Sequence, residues 1–344
     1  MTQPPKNFIN PRGLHQFKSR TCSIVGVGSY VPSRILSNAD LEKMVDTSDD
    51  WITSRTGIKE RRIAAKHEHT SDLAAKAAQL AMQRAAVSPE QIDLIVVATI
   101  TPDMPFPSTA CIVQRKIGAA RAVGFDIEAA CSGFLFALEI GQNFITSHTF
   151  ETVLVIGAEK LSTITDWKER NTCVLFGDGA GAAILRHRPN SRGLLTTCMG
   201  SDGNKADLIS MPGGGSQSPA SIHTVTSGMH YLRMNGKETY KNAVTAICSA
   251  ANEALRRCQT DITRIKCIIP HQANGRIIEA VAERLGAKPE QVFINIEKYG
   301  NTSAASVAIA MDEASQSGRF KKGDLILLFA FGAGLTWAAS VIEW

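Results

Sequence analysis

The chain has no Cys-x-x-Cys pair among its eight cysteines, no apolar run longer than a strand, and few aromatics, 6% of 344 residues. Each absence excludes something. Scattered cysteines with no hydrophobic signal region before them exclude a disulfide scaffold and suit reduced thiols in a cytosol-like, cytoplasmic compartment. The longest apolar stretches, such as Leu94 to Ile100, are too short to span a bilayer, so no membrane role is expected. A strong charge of one sign is missing too. Lys6, Arg12, Lys18 and Arg20 sit in a first segment that has no acid, and they account for most of the formal net charge of +5. The near-neutral remainder gives no ground for nucleic-acid binding. No cysteine or histidine spacing points to zinc, the His67-Glu-His69 pair included, and no metal is expected.

What is present is a soluble α/β composition, 44% hydrophobic with 27 glycines. Residues 1–20 are polar and carry three prolines, which predicts a loosely held arm. A basic, acid-free start is also compatible with an organellar transit segment, although this one is short, proline-broken and poor in serine. Beyond it the pattern predicts a helix from Ser71 to Ala86, a strand from Leu94 to Ile100, a helix from Thr109 to Ile117, a strand from Ala122 to Ile127 and a helix from Ser132. A strand from Thr152 to Ile156 and the glycine-tight Phe176-Gly-Asp-Gly-Ala-Gly181 follow. Alternation of this kind predicts a parallel, covered sheet.

The order then recurs, with a strand at Ile265 to Ile269, a helix at Arg276 to Leu285, a strand at Val292 to Ile296 and a helix at Ser303 to Ala314. Ile117-Gly-Ala119 matches Leu285-Gly-Ala287, Phe125-Asp-Ile-Glu128 matches Ile294-Asn-Ile-Glu297, and Phe176-Gly-Asp-Gly matches Phe331-Gly-Ala-Gly. Such ordered matches predict a duplication. The expected halves are 21–190 and 191–344, with the Gly-rich stretch Pro212 to Pro219 as a mobile surface loop. Cys131 and Asn301, each after an Ile-Glu string and before a helix, should occupy corresponding places at the join.

Cys131 lies in Glu128-Ala-Ala-Cys-Ser-Gly133, where a helix N-terminus would lower the thiol pKa and small neighbours would admit a thioester. A buried cysteine is the plain alternative. His271, in Pro270-His-Gln-Ala-Asn274, follows a strand at the carboxyl end of a sheet, where open α/β folds build their sites. Asn301 in Gly300-Asn-Thr-Ser could equally be a helix cap.

These strings, with Asp46-Thr-Ser-Asp-Asp-Trp51-Ile-Thr-Ser-Arg55 and Phe331-Gly-Ala-Gly-Leu-Thr-Trp337, resemble the motifs of β-ketoacyl-acyl-carrier-protein synthase III. The resemblance runs from about Cys22 to Trp344 and implies a thiolase-like α/β fold of five layers, αβαβα. It implies that Cys131 accepts an acyl group from a short acyl-CoA primer, and that malonyl-acyl carrier protein then decarboxylates and condenses with it. His271 and Asn301 would hydrogen-bond the enolate oxygen, with His271 a donor rather than a base. Backbone N–H groups of Cys131 and Ala333 would form the second oxyanion hole, Ala333 standing where the family often has glycine. One histidine with one asparagine, in place of the two histidines of the elongating enzymes, is the pattern of the priming enzymes and of the plant-type polyketide synthases, and the Trp51 and Arg55 segment favours the priming enzyme.

By the same resemblance CoA is contacted by Thr47, Trp51, Arg55, Arg170 and Asn274, with the adenine between Trp51 and Arg170. Arg276 and Lys241 would dock the acidic carrier protein, and Phe106 would reach across a homodimer to limit primer length. CoA thioesters are then substrates, and no cofactor is expected. The rival readings are a related condensing enzyme of specialised metabolism, using another primer or malonyl-CoA, and a catalytically silent acyl-binding protein of the same fold.

Overall fold

The computed structural model describes residues 20–189 and 191–344. The arm expected over 1–20 lies, apart from Arg20, outside the described residues. The main elements of the first half are β1 (Ser23–Tyr30), α1 (Asp49–Thr56), α2 (Thr70–Ala85), β2 (Leu94–Ala98), α3 (Thr109–Ile117), β3 (Val123–Ile127), α4 (Gly133–Thr146), β4 (Thr152–Glu159) and β5 (Gly179–Arg186). Those of the second half are β6 (Leu194–Ser201), α5 (Gly236–Arg257), β7 (Ile265–Pro270), α6 (Gly275–Leu285), α7 (Ala305–Gln316), β8 (Leu325–Gly332) and β9 (Thr336–Glu343).

Local chemistry explains these bounds. α3 begins where the Ser108 hydroxyl accepts from Cys111 N–H and ends at left-handed Gly118, a cap residue at each end. α6 begins on the Asn274 side chain, stops at left-handed Gly286, and buries Ile278, Val281 and Leu285 at helical spacing. β2 and β4 are buried along their whole length, as strands covered on both faces must be.

The first sheet runs β1-β5-β4-β2-β3 and the second β6-β9-β8-β7. On one flank of each the strands are parallel, β3 with β2 and β2 with β4, then β7 with β8. The two strands on the other flank are antiparallel, which departs from the all-parallel expectation. The expected strand from Val292 to Ile296 shrinks to one parallel bridge between Val292 and Ile268. Its later amides are committed elsewhere, since Asn295 and Ile296 N–H groups both donate to Gln272 Oε1. Even so, Val292 sits at the edge corresponding to β3, so the two sheets repeat one order.

Three apolar clusters separate the layers. Alanines of α2 (Ala74, Ala77, Ala78, Ala81) pack with Ile95, Val97, Leu154 and Ile184 on the outside of the first sheet. Phe134 and Leu138 of α4 with Ala308 and Met311 of α7 fill the space between the sheets, against Val96, Val155, Ile269 and Leu328. α5 and α6 cover the outside of the second sheet through Ile247, Ala251 and Val281. The order is αβαβα, and the join of the halves is the middle layer. No described helix is long and apolar enough to cross a membrane.

Candidate active site

Cys131 stands in a tight turn, Ala130–Ser132, between β3 and α4. The turn is held from both sides. Ala130 has φ +44°, a left-handed conformation that non-glycine residues adopt only where surroundings enforce it. Its N–H reaches Glu128 Oε1 at 3.2 Å, and Thr336 Oγ1 donates to Ala129 carbonyl at 2.9 Å. Gly332, the last residue of β8, comes so close that a Cβ there would lie 2.6 Å from Cys131 N. On the opposite side of the join, a Cβ on Gly157 of β4 would lie 2.2 Å from the Ala304 carbonyl oxygen. Both loops hold a left-handed residue, Ala130 at φ +44° and Ser303 at φ +47°, so the counterpart of Cys131 lies near Ala304, and Asn301 stands earlier in its loop than the expected match to Cys131.

Cys131 is partly exposed to the cavity. Desolvation pushes its thiol pKa up, and the nearby α4 N-terminus, which starts at Gly133, acts in the opposite sense.

His271 follows β7 directly and gives its N–H to the Phe329 carbonyl at 2.7 Å. It is 4% exposed, and neither ring nitrogen has a hydrogen-bond partner among the described residues. Burial holds its pKa down at about 3, so the imidazole is neutral and carries one N–H donor. Gln272 locks this corner: its N–H reaches Ser306 Oγ at 2.7 Å, and its side-chain N–H donates to the Pro270 carbonyl at 2.9 Å. Asn301 is bridged to Phe176, and its Oδ1 accepts from Ser303 N–H at 2.8 Å. That bond leaves the Nδ2 group as the donor. Cys131, His271 and Asn301 line one narrow cavity of about 130 Å³, walled by Leu175, Ile247, Phe329 and Phe331.

Comparison with known proteins decides what this arrangement belongs to. Residues 125–203 match the family model of 3-oxoacyl-[acyl-carrier-protein] synthase III, and residues 255–344 match that of its C-terminal part. The β-ketoacyl-[acyl-carrier-protein] synthase III of Caldanaerobacter subterraneus is 56% identical over 321 residues, covering 93% of this chain and 97% of that protein. The chain belongs to the β-ketoacyl-acyl-carrier-protein synthase III family. The crystal structure of the Aquifex aeolicus 3-oxoacyl-[acyl-carrier-protein] synthase III is 48% identical with TM-score 0.87, covering 94% of this chain and all of that one. The priming β-ketosynthase of the R1128 polyketide pathway is 35% identical with TM-score 0.90, covering 96% and 98%. Synthase III proteins are condensing acyltransferases, and the expected thiolase-like fold is the one observed.

The remaining synthase III residues divide by position. Trp51, Arg55, Asn274 and Arg276 line a broad cleft of about 1080 Å³, which meets the narrow cavity at Asn274, Leu175 and Tyr240. Asn274 caps α6 through Oδ1 and gives Nδ2 to the Arg55 carbonyl at 3.1 Å. The Trp51 ring carries two guanidinium groups, Arg55 Cζ at 4.6 Å and Arg170 Cζ at 4.9 Å from its centroid. Thr47 Oγ1 is buried and without a hydrogen-bond partner among the described residues. Lys241 is exposed on α5 and lies outside the cleft lining, whereas Arg233 and Lys237 are in it. Ala333 lines a third cavity of about 680 Å³ that also takes in Ala129 and Ala130 of the nucleophile turn. Phe106 is not brought into any of these; it is 82% exposed.

Sequence reasoning missed Gly332, Gln272, Lys237 and Glu159. Lys237 had a signal, lying one helical turn before Lys241. Glu159, fully buried and beside the Asn301 loop, had none beyond ending a strand. Among the described residues no group of three His, Cys, Asp or Glu side chains could hold a metal ion.

Proposed function

We propose that the protein initiates fatty acid synthesis by condensing a short acyl-CoA, acetyl-CoA first, with malonyl-acyl carrier protein. The observation that carries this reading is the convergence of Cys131, neutral His271 and Asn301 on one cavity at the foot of a cleft bearing Trp51. Cys131 attacks the primer thioester, and its own N–H with that of Ala333 receives the tetrahedral oxyanion. A malonyl thioester then takes the place of CoA, and His271 and Asn301 donate to its carbonyl oxygen as carbon dioxide leaves. Neutral donors in a dry pocket favour an enolate without having to give up a proton.

CoA runs up the cleft, its adenine on Trp51. Arg170 lies nearer the indole than the roughly 7 Å that two stacked aromatic contacts require, so it swings aside to admit the purine. Arg55, Thr47 and Asn274 meet the polar parts of CoA. Arg276, with Lys237 and Lys241 along α5, offers a basic rim for an acidic carrier protein. The reading includes a homodimer, with exposed Phe106 entering the partner's primer pocket, a cytoplasmic location in keeping with free cysteines, and no resident cofactor.

The test is intact-mass analysis after exposure to acetyl-CoA, followed by malonyl-acyl carrier protein. A single acyl adduct that is lost in Cys131→Ser, and a 3-oxoacyl product, are the expected results. An unmodified protein would refute the reading. The likeness to a priming β-ketosynthase of a polyketide pathway favours one second reading, a primer of specialised metabolism. A series of acyl-CoA primers with matched malonyl donors separates the two.

A further inference from the structure

Arg61 is the largest fully buried side chain among the described residues. A guanidinium taken out of water is costly unless its donors are met. Its Nη1 donates to the Leu36 carbonyl at 3.0 Å and to Asn38 Oδ1 at 2.9 Å, and its Nη2 donates to the Val174 carbonyl at 2.8 Å. All of these acceptors are uncharged, and Nε has no hydrogen-bond partner among the described residues. Burial lowers the group only to about 10, so it stays charged at neutral pH. Apolar side chains of similar volume are often as stable in such places. What the guanidinium adds is a fixed span between two segments.

One of those segments frames Asn301. Leu175, next to Val174, accepts from Asn301 N–H at 2.8 Å, and Gly177 N–H donates to the Asn301 carbonyl at 3.0 Å, so both backbone groups of Asn301 hang on the stretch 174–177. The stem of Arg61 lies against the same backbone: a Cβ on Gly177 would be 3.1 Å from Arg61 Cβ, and one on Gly300 would be 3.5 Å from it. The other arm reaches the cleft. Asn38 Nδ2 donates to Asp49 Oδ1 at 2.7 Å and to the Ile58 carbonyl at 2.8 Å, bracketing α1, whose Trp51 and Arg55 line the cleft. Cys131, by contrast, is held by Gly332 and Thr336, which no Arg61 hydrogen bond reaches.

We propose that Arg61 is a positioning residue for Asn301: its planar guanidinium fixes the stretch 174–177, and with it the place of the Asn301 Nδ2 group beside the substrate carbonyl oxygen. This role rests on the function proposed above and belongs to decarboxylation and condensation, not to acylation. Asn301 has one free side-chain donor group, since its Oδ1 is taken by Ser303 N–H. A shift of about 1 Å in a group that must meet the reacting centre can cost roughly 100-fold in rate. A guanidinium spans two arms with a rigid fork, and a lysine ammonium does not. Arg61→Lys therefore keeps the charge and loses the span.

The experiment measures two half-reactions in the wild type, Arg61→Lys, Asn301→Ala and the double variant. One is acetyl transfer from saturating acetyl-CoA to Cys131, read by intact mass, and the other is carbon dioxide release from malonyl-acyl carrier protein by the acetylated enzyme. Arg61→Lys should acylate near the wild-type rate and release carbon dioxide roughly 100-fold more slowly. With Asn301 already truncated, Arg61→Lys should slow release no further, because the two residues act as one unit. Additive losses in the double variant, or acylation falling in step with decarboxylation, assign Arg61 to general support of the fold and overturn the proposal. Arg61→Met, which keeps the stem against Gly177 and Gly300, carries the same predictions if Arg61→Lys is not recovered folded. Failure of both to fold likewise overturns it. A wild type that forms no adduct refutes the proposed function and this inference together, whereas an active wild type with additive variants refutes the inference alone.

Discussion

A methyl group added at Gly332 would drive into the backbone of the nucleophile turn. Gly332→Ala should therefore cost about 1–3 kcal/mol of stability, the range for overpacking, and slow acylation of Cys131. Urea unfolding and adduct formation check the two effects. His271→Asn should still acylate but lose malonyl decarboxylation by about 100-fold or more, as for an oxyanion donor, measured as carbon dioxide release. The same residue sets a pH dependence. Its folded pKa of about 3 lies below the ordinary 6.5, so between these values the unfolded chain binds the extra proton. Stability from this group is full above 6.5 and falls away as pH drops toward 3. Glu159, raised from 4.5 to about 7, acts in the opposite sense between those values. Comparing the urea midpoints of wild type and His271→Asn at pH 5 and pH 7 isolates the histidine, and the variant should lose less on acidification.

Among the elements, those with strong periodicity were legible from sequence. The α3 helix matches its expected bounds, and α6 and β7 do so within a residue. The Val292 segment was misread because its apolar alternation is real while its amides serve the Gln272 side chain, a partner 23 and 24 residues away that no local pattern reveals. The three active-site residues were legible because each sits in a short, unusual string. Glu159 was not, because its meaning lies in Thr99, Thr101 and Ser303, which are brought to it only by folding. Element docking also gives a prediction. Asp312 of α7 is buried and accepts from Ser29 of β1 and Arg84 of α2, tying the middle layer to the outer one. Asp312→Ala should cost about 3 kcal/mol, as removal of one partner of a buried pair does. Chemical denaturation at neutral pH measures it.

At the scale of the molecule, the strands up to β5, which ends at Arg186, build one sheet and those from β6, which starts at Leu194, build the other, yet the largest apolar cluster draws on both. The surface carries an aromatic ring, Phe106, almost fully outside. If it enters a second copy, Phe106→Asp should weaken self-association and lengthen the accepted primers, which sedimentation equilibrium and a primer series would record. The shared middle layer has a consequence for folding. A single half would leave its central helix, α4 or α7, with one apolar flank facing water, because both helices bury side chains in the same cluster between the sheets. Either half expressed alone should therefore associate or aggregate instead of standing as a monomer.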